Sequence, residues 1–237
     1  ITFGDPDFLN APRYSLGLLG RAHAEFPQLT FDVTVKVSHI LDHASIWTDV
    51  AEQGVLFAVS AFETTNNRVL AILDKGHDAT GMSRATDIMR SAGIALRPSW
   101  MPFTPWTEPE DITDILFFLR DHELLASTDP VQLSIRLLVP EGSLLADRPE
   151  MGPYDPQAMT YTWAYASSEV DEQQRRLAEI AEGGVGRPTL ETLALMWEAM
   201  TAESMPAISE QTLPRLTESW FCCAEPTQAQ FLTISRN

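Results

Sequence analysis

Polar residues interrupt the apolar runs of this chain at places where a ligand can be met. The run 55–60 leads into Phe62-Glu63-Thr64-Thr65, which puts a carboxylate and two hydroxyls where a strand stops. Such a set can hydrogen-bond a ligand, and Thr64 or Thr65 can equally cap the helix that follows. Gly4-Asp5-Pro6 lets the backbone come close to a ligand with an acceptor carboxylate beside it, which suits a cationic amino group. The same triplet is also an ordinary way to leave a strand. Arg97 and Arg136 sit inside otherwise apolar runs, where a guanidinium is costly unless it is paired or faces a cavity. A ligand carboxylate would satisfy either one, as would a structural pairing with Glu63, Asp5 or Glu141.

His39 and His43 form an H-x3-H pair around Asp42, and on a helix that spacing sets both imidazoles on one face, as metal ligands require. No HExxH-type glutamate lies between them and no third ligand is evident, so capping or surface histidines are the plainer reading. His77, in Lys75-Gly76-His77, reads as part of a helix end with a C-terminal glycine. Cys222 and Cys223 are adjacent. Their Cα atoms stand ~3.8 Å apart across a trans peptide, short of the usual disulfide range, so a bridge between them is strained and easily reduced. That leaves a redox-active thiol pair, soft metal ligands, or two buried apolar residues beside Trp220 and Phe221.

The elements that must position these residues follow from hydrophobic pattern. Apolar runs at 31–37, 55–60, 94–100 and 131–139 alternate with helical stretches near 12–25, 46–53, 66–74, 82–92 and 109–123. This alternation predicts a parallel sheet with crossover helices, an architecture in which strand ends face the ligand. Thr107-Glu108-Pro109-Glu110-Asp111 marks one helix start, and Ile112, Ile115, Leu116 and Leu119 give that helix an apolar face for the sheet. Past residue 148 the character changes. Residues 151–157 read as an exposed connection, 160–165 as a short aromatic strand, and 170–182 and 190–202 as helices split by Gly183-Gly184-Val185-Gly186-Arg187-Pro188. The pattern predicts an α/β domain over 1–150 and a helical extension over 151–237.

Residues 55–103 resemble the later half of the radical SAM barrel. There, an "ES/ET" strand end, an "L…KG-H/T" helix end and an "R.AGI.L.PS" entry into the next strand occur in the order seen in Glu63-Thr64, Lys75-Gly76-His77 and Ala92-Gly93-Ile94-Ala95-Leu96-Arg97-Pro98-Ser99. Ile1-Thr2-Phe3-Gly4-Asp5-Pro6-Asp7-Phe8 looks like the second strand and the loop after it, the "GGEP-like" position, and 129–143 like the sixth strand with a Pro140-x-Gly142-Ser143 turn. Trp220-Phe221-Cys222-Cys223-Ala224-Glu225-Pro226 resembles the tail of the CUAEP/CCAEP-tail subgroup, whose relatives can place selenocysteine there. The resemblance implies a partial (β/α)6 TIM-like barrel, strands two to six, followed by the helical extension.

It further implies S-adenosylmethionine (SAM) as a cofactor, with Gly4, Asp5, Pro6, Glu63, Thr64, Arg97, Ser134 and Arg136 in its binding and Cys222 and Cys223 as a catalytic thiol pair. The implied activity is reductive cleavage of SAM to a 5'-deoxyadenosyl radical that abstracts hydrogen from an organic or peptide substrate, with an external electron donor. Such enzymes hold a 4Fe-4S cluster on three cysteines, commonly spaced C-x3-C-x2-C. This chain has two cysteines, both near its end, and opens on Ile1. The expectation is a C-terminal part of a longer protein, with the first strand and cluster loop elsewhere. Trp100, Trp106 and Trp163 near strand ends suit an organic substrate or simply pack the core.

Bulk properties narrow the classes. Across 237 residues, 16 basic against 33 acidic residues give a formal charge of -17, which argues against a basic nucleic-acid-binding face. No apolar run reaches the ~18 residues expected of a membrane helix, and a cytoplasmic protein is the expectation. Two alternatives stand beside the radical enzyme: a metal-dependent hydrolase on a TIM-like barrel using His39, His43 and Asp42, and a non-catalytic binding module.

Overall fold

The computed structural model describes residues 1–208. Cys222, Cys223 and the rest of the tail motif lie outside them. From the N-terminus the order is α1 (Pro12–Glu25), β1 (Phe31–Thr34), α2 (Val37–Asp42), α3 (Trp47–Glu52), β2 (Val55–Glu63), α4 (Asn67–Ile72), α5 (Ala79–Ser91), β3 (Ala95–Trp100) and α6 (Pro109–Asp121). An antiparallel hairpin, β4 (Met151–Asp155) and β5 (Thr160–Trp163), then precedes α7 (Ser168–Gly183) and α8 (Thr189–Thr201).

The sheet is parallel in the order β1-β2-β3, and two single parallel bridges extend it, Thr2 to Asp32 on one side and Phe103 to Arg136 on the other. Five chain segments thus run parallel in chain order, as the sequence predicts. Register puts Val33, Ala58 and Leu96 on one face, and that face continues through Val35, Phe62 and Trp100 to a buried layer under the helices. Phe62, Trp100 and Phe118 meet edge to face with ring centroids 5.6–6.0 Å apart, which ties the strand ends to α6. The other face carries Asp32, Thr34, Phe57, Val59, Ala61, Arg97 and Ser99 and is less enclosed.

Three expectations need correction. Residues 131–139 are not a strand: Pro130–Ser134 is a 3-10 turn, and only the stretch around Arg136 pairs with the sheet. Asp129 caps that turn through the Val131 N–H, and Pro130 sits at its start, where its fixed φ favours a helical turn. The β3 edge loses little by this. Pro98 has no N–H to offer, and the Trp100 N–H donates to the Gln132 side chain at 3.0 Å. The opening residues also form a bridge rather than a full strand, because the chain leaves the sheet at Gly4 and returns when the Phe8 N–H donates to Thr34. Residues 151–155, read as a connection, pair with β5 through a turn at Met159 (φ 55) and a Tyr154–Tyr161 ring contact.

The core crosses residue 150. Val170, Leu177, Leu193, Met196 and Trp197 belong to the same buried cluster as Val33, Ala58, Phe62 and Ile115. Trp197 lies 5.7 Å from the Phe117 ring, so α8 covers α6 much as α6 covers the sheet. A smaller cluster of Val69, Met101, Trp106, Ile135, Leu137 and Val139 receives Met151, Tyr161 and Trp163 from the hairpin.

Candidate functional site at the strand ends

Two charged clusters stand at the C-terminal ends of the parallel segments. The first spans the loop after Phe3 and the end of β1. Asp5 is exposed, and its Oδ1 accepts the Asp7 N–H at 2.9 Å, an Asx turn that directs the chain inward. Asp7 is the buried carboxylate here, 6% exposed. His39 Nδ1 lies 2.9 Å from its Oδ1 and Lys36 Nζ 3.1 Å from its Oδ2. Gly4 borders open space: a Cβ added there meets no atom within 4 Å.

The second cluster is built on unusual backbone. Glu63 ends β2 at φ 66 while the Thr64 N–H donates to the Phe62 carbonyl at 2.8 Å, a γ-turn of the rare, strained hand. The Glu63 carbonyl accepts the Met101 N–H at 2.9 Å, fixing the turn to the next strand. Lys75 Nζ donates to Glu63 Oε1 at 2.5 Å, with both side chains mostly withdrawn from solvent. Lys75 itself is flanked by Asp74 (φ 51) and Gly76 (φ 69), so three left-handed residues surround one ion pair. Each such non-glycine residue costs about 1–3 kcal/mol and persists only where its surroundings hold it.

Two neighbours hold these residues in place. Asn66 caps α4 through the Arg68 and Val69 N–H groups and donates to both oxygens of buried Asp111 at 2.9 and 3.0 Å. His77 Nδ1 donates to the Lys75 carbonyl at 3.2 Å, and burial pushes its imidazole below the ordinary range, only partly offset by backbone hydrogen bonds at Lys75 and Phe62.

The remaining residues singled out from sequence are dispersed. Thr64 is buried, and its hydroxyl accepts the Asn66 N–H at 3.2 Å. Ser134 Oγ donates to the Val131 carbonyl at 2.9 Å within the 3-10 turn. Arg97 lies on the more open sheet face, its guanidinium 5.6 Å from the Phe57 ring and electrostatically coupled to Asp32. Burial raises the Asp32 carboxyl, against an opposing hydrogen bond from Thr2. Arg136 stacks on Trp163 at 4.5 Å and Tyr165 at 5.0 Å, so the hairpin and the residues after it supply the aromatic surface that shelters it.

The hydrolase reading finds no ligand set among the described residues. His39 Nδ1 faces Asp7, the His39 and His43 rings are 6.3 Å apart centre to centre, and no group of three His, Cys, Asp or Glu among the described residues is placed to hold a metal. Sequence reasoning gave no role to Asp7 or Lys36 and did not place Lys75 beside Glu63 at the strand end. Asp7 lies in the same opening loop, but the sequence gives it no role of its own beside Gly4-Asp5-Pro6. The Asp74-Lys75-Gly76-His77 turn was the signal for Lys75, read only as a helix end.

Parallel segments joined by helices, with charged groups along one rim, define an α/β fold that presents its polar groups at the carboxyl ends of its strands. Neither a family model nor a curated protein matches the chain. Among solved structures it is similar to the cobalamin-dependent S-adenosylmethionine radical enzyme OxsB. With aqua-cobalamin and S-adenosylmethionine bound, the match has 13% identity and TM-score 0.56, covering 78% of this chain and 34% of that one. With aqua-cobalamin alone the values are 12%, 0.53, 77% and 33%. The radical S-adenosylmethionine methyltransferase TsrM from Kitasatospora setae aligns at 15% identity and TM-score 0.46, over 54% of this chain and 26% of that one. The OxsB matches show a shared fold, and this chain spans about a third of that protein's length. Among the described residues, no helix is long and apolar enough to cross a membrane.

Proposed function

We propose that the five parallel segments of this chain stand for strands two to six of a radical SAM barrel, over 1–150, the first and last of them reduced to single bridges, with a helical extension over 151–237. Its protein cleaves SAM reductively to methionine and a 5'-deoxyadenosyl radical, which abstracts hydrogen from an organic or peptide substrate. The observation that carries the reading is Glu63, held on a strained turn at a parallel strand end, where the sequence resemblance locates a SAM contact. The rim suits SAM: Lys75 engages Glu63 Oε1, leaving Oε2 for ribose hydroxyls, and Gly4 borders open space beside Asp5 for the amino group. A 4Fe-4S cluster does not fit the residues of this chain, because two thiols stand where three are needed. The proposal therefore assigns its ligands to residues outside this sequence, its electron to an external donor, and the protein to the cytoplasm. Cys222 and Cys223, by resemblance to the CCAEP-tail subgroup, would act on substrate or product as a thiol pair.

The test is to extend the reading frame upstream of Ile1, express the product anaerobically with iron and sulfide, and measure iron content and SAM cleavage. A C-x3-C-x2-C motif with iron-dependent cleavage supports the proposal. A start codon at Ile1 and no bound iron refutes it. A non-catalytic binding module is the second reading, favoured by the pairing of Asp7 and Glu63 with cations of this same chain.

A further inference from the structure

We infer that Lys75 is a positioning residue for Glu63, making the α4–α5 turn part of a recognition site for the vicinal hydroxyls of a ribose; this rests on the reading above. An exposed Lys–Glu pair would carry little meaning, since surface pairs stabilise weakly. This pair differs in two respects. Glu63 and Lys75 side chains retain only 13% and 29% exposure, and Glu63 itself, like Asp74 and Gly76 on either side of Lys75, sits at positive φ. A simple tie between two loops needs none of that strain. Aiming a carboxylate does, because the γ-turn sets the direction of the Glu63 side chain and Lys75 fixes one of its oxygens.

A carboxylate clamped through one oxygen presents the other with its lone pairs in a fixed direction. Vicinal hydroxyls are donors that reward such an acceptor, and charge-assisted bonds of this kind are stronger than neutral ones. The backbone that carries Lys75 is fixed. Its N–H donates to Leu70 at 3.2 Å, its carbonyl accepts from His77, and Asp78 then caps α5 through the Gly81 N–H at 2.7 Å. The turn is thus held on both sides by helix termini, and the Lys75 side chain reaches Glu63 from a fixed starting point.

The experiment is calorimetric binding of 5'-methylthioadenosine and its 2',3'-dideoxy analogue to the 237-residue chain and to Lys75→Met, Lys75→Arg, Glu63→Gln and the Lys75→Met/Glu63→Gln double variant. Lys75→Met keeps the aliphatic stem; Lys75→Gln carries the same expectation if the Met variant loses its native far-UV spectrum. Lys75→Met should weaken binding of the diol probe on the order of tenfold, the size of a lost charge-assisted hydrogen bond. It should leave the dideoxy probe unchanged and have no further effect once Glu63 is Gln. Lys75→Arg should recover most of the loss.

Native-like affinity in Lys75→Met, with loss in Glu63→Gln, overturns the positioning role and leaves the ribose contact standing. Equal losses for both probes reduce Lys75 to a structural tie. A native chain that binds neither probe overturns the inference together with the SAM site, whatever iron and SAM cleavage show for the extended protein.

Discussion

Replacing Asn66 by Ala should be among the most damaging single changes at a half-buried site of this protein, because one amide does two jobs. Its oxygen caps α4 by accepting from the Arg68 and Val69 N–H groups at 3.0 and 3.3 Å. Its nitrogen donates to both carboxylate oxygens of Asp111, which is 7% exposed. Loss of an Asn cap costs about 1 kcal/mol. Loss of hydrogen bonds to a buried charge costs about 1.5–3 kcal/mol. The two overlap within one side chain, so the expected total is about 3 kcal/mol, a large share of the 5–15 kcal/mol typical of a domain.

Urea denaturation near neutral pH reads it directly. The pH dependence separates the two parts. Burial raises the Asp111 carboxyl above its ordinary 3.8, while Asn66 opposes that rise. A carboxyl raised in the folded state contributes stability that is full below the unfolded value and lost as pH rises through the folded one. Without Asn66 the folded value rises further, so the deficit should be greatest near neutral pH and shrink in acid as Asp111 protonates. A loss below about 0.5 kcal/mol, or one equal at both pH values, would refute the account of Asp111 as a buried charge served by Asn66.

Two further outcomes are expected. Trp197→Ala should cost about 3–5 kcal/mol, as for buried aromatics elsewhere, and shift a single unfolding transition seen by both fluorescence and far-UV signals. Trp197→Phe should cost much less, since the indole Nε1 is buried with no hydrogen-bond partner. His77 is held below the ordinary 6.5 by burial, so its contribution to stability is present above that value and lost as pH falls through the folded one. His77→Gln should therefore flatten the fall in stability below pH 6.5 relative to the native chain, measured by thermal unfolding across a pH series.

Where the chain's local chemistry and its packing agree, the fold is legible from sequence. The periodic apolar face of α6 and the run into β2 read correctly, as does the helix start, although Glu108 rather than Thr107 proves to be the cap, in a reciprocal box with Asp111. The stretch 131–139 misled because an apolar run tells burial, not extension. Asp129-Pro130 carried the opposite signal and prevailed. Gly152 and Pro153 disguised β4, which pairs around them through a register shift between Met151 and Tyr154. The candidate site was half legible. Glu63 is marked by its place at the end of an apolar run, whereas its partner Lys75 and the Asp7–His39 contact, 32 residues apart, depend on tertiary approach that no local pattern encodes.

The covering of α6 by α8 has a consequence for how this protein is made. Phe117 emerges from the ribosome 80 residues before Trp197, the ring that shields it, a delay of about 4–16 s at ordinary rates of synthesis. Through that interval the nascent sheet has its helices but lacks its outermost layer, and an apolar stripe of α6 is open to any passing surface. Ribosome-associated chaperones are the natural occupants of such a stripe, so expression yield should depend more on slow passage through residues 122–197 than on anything at the strand-end rim.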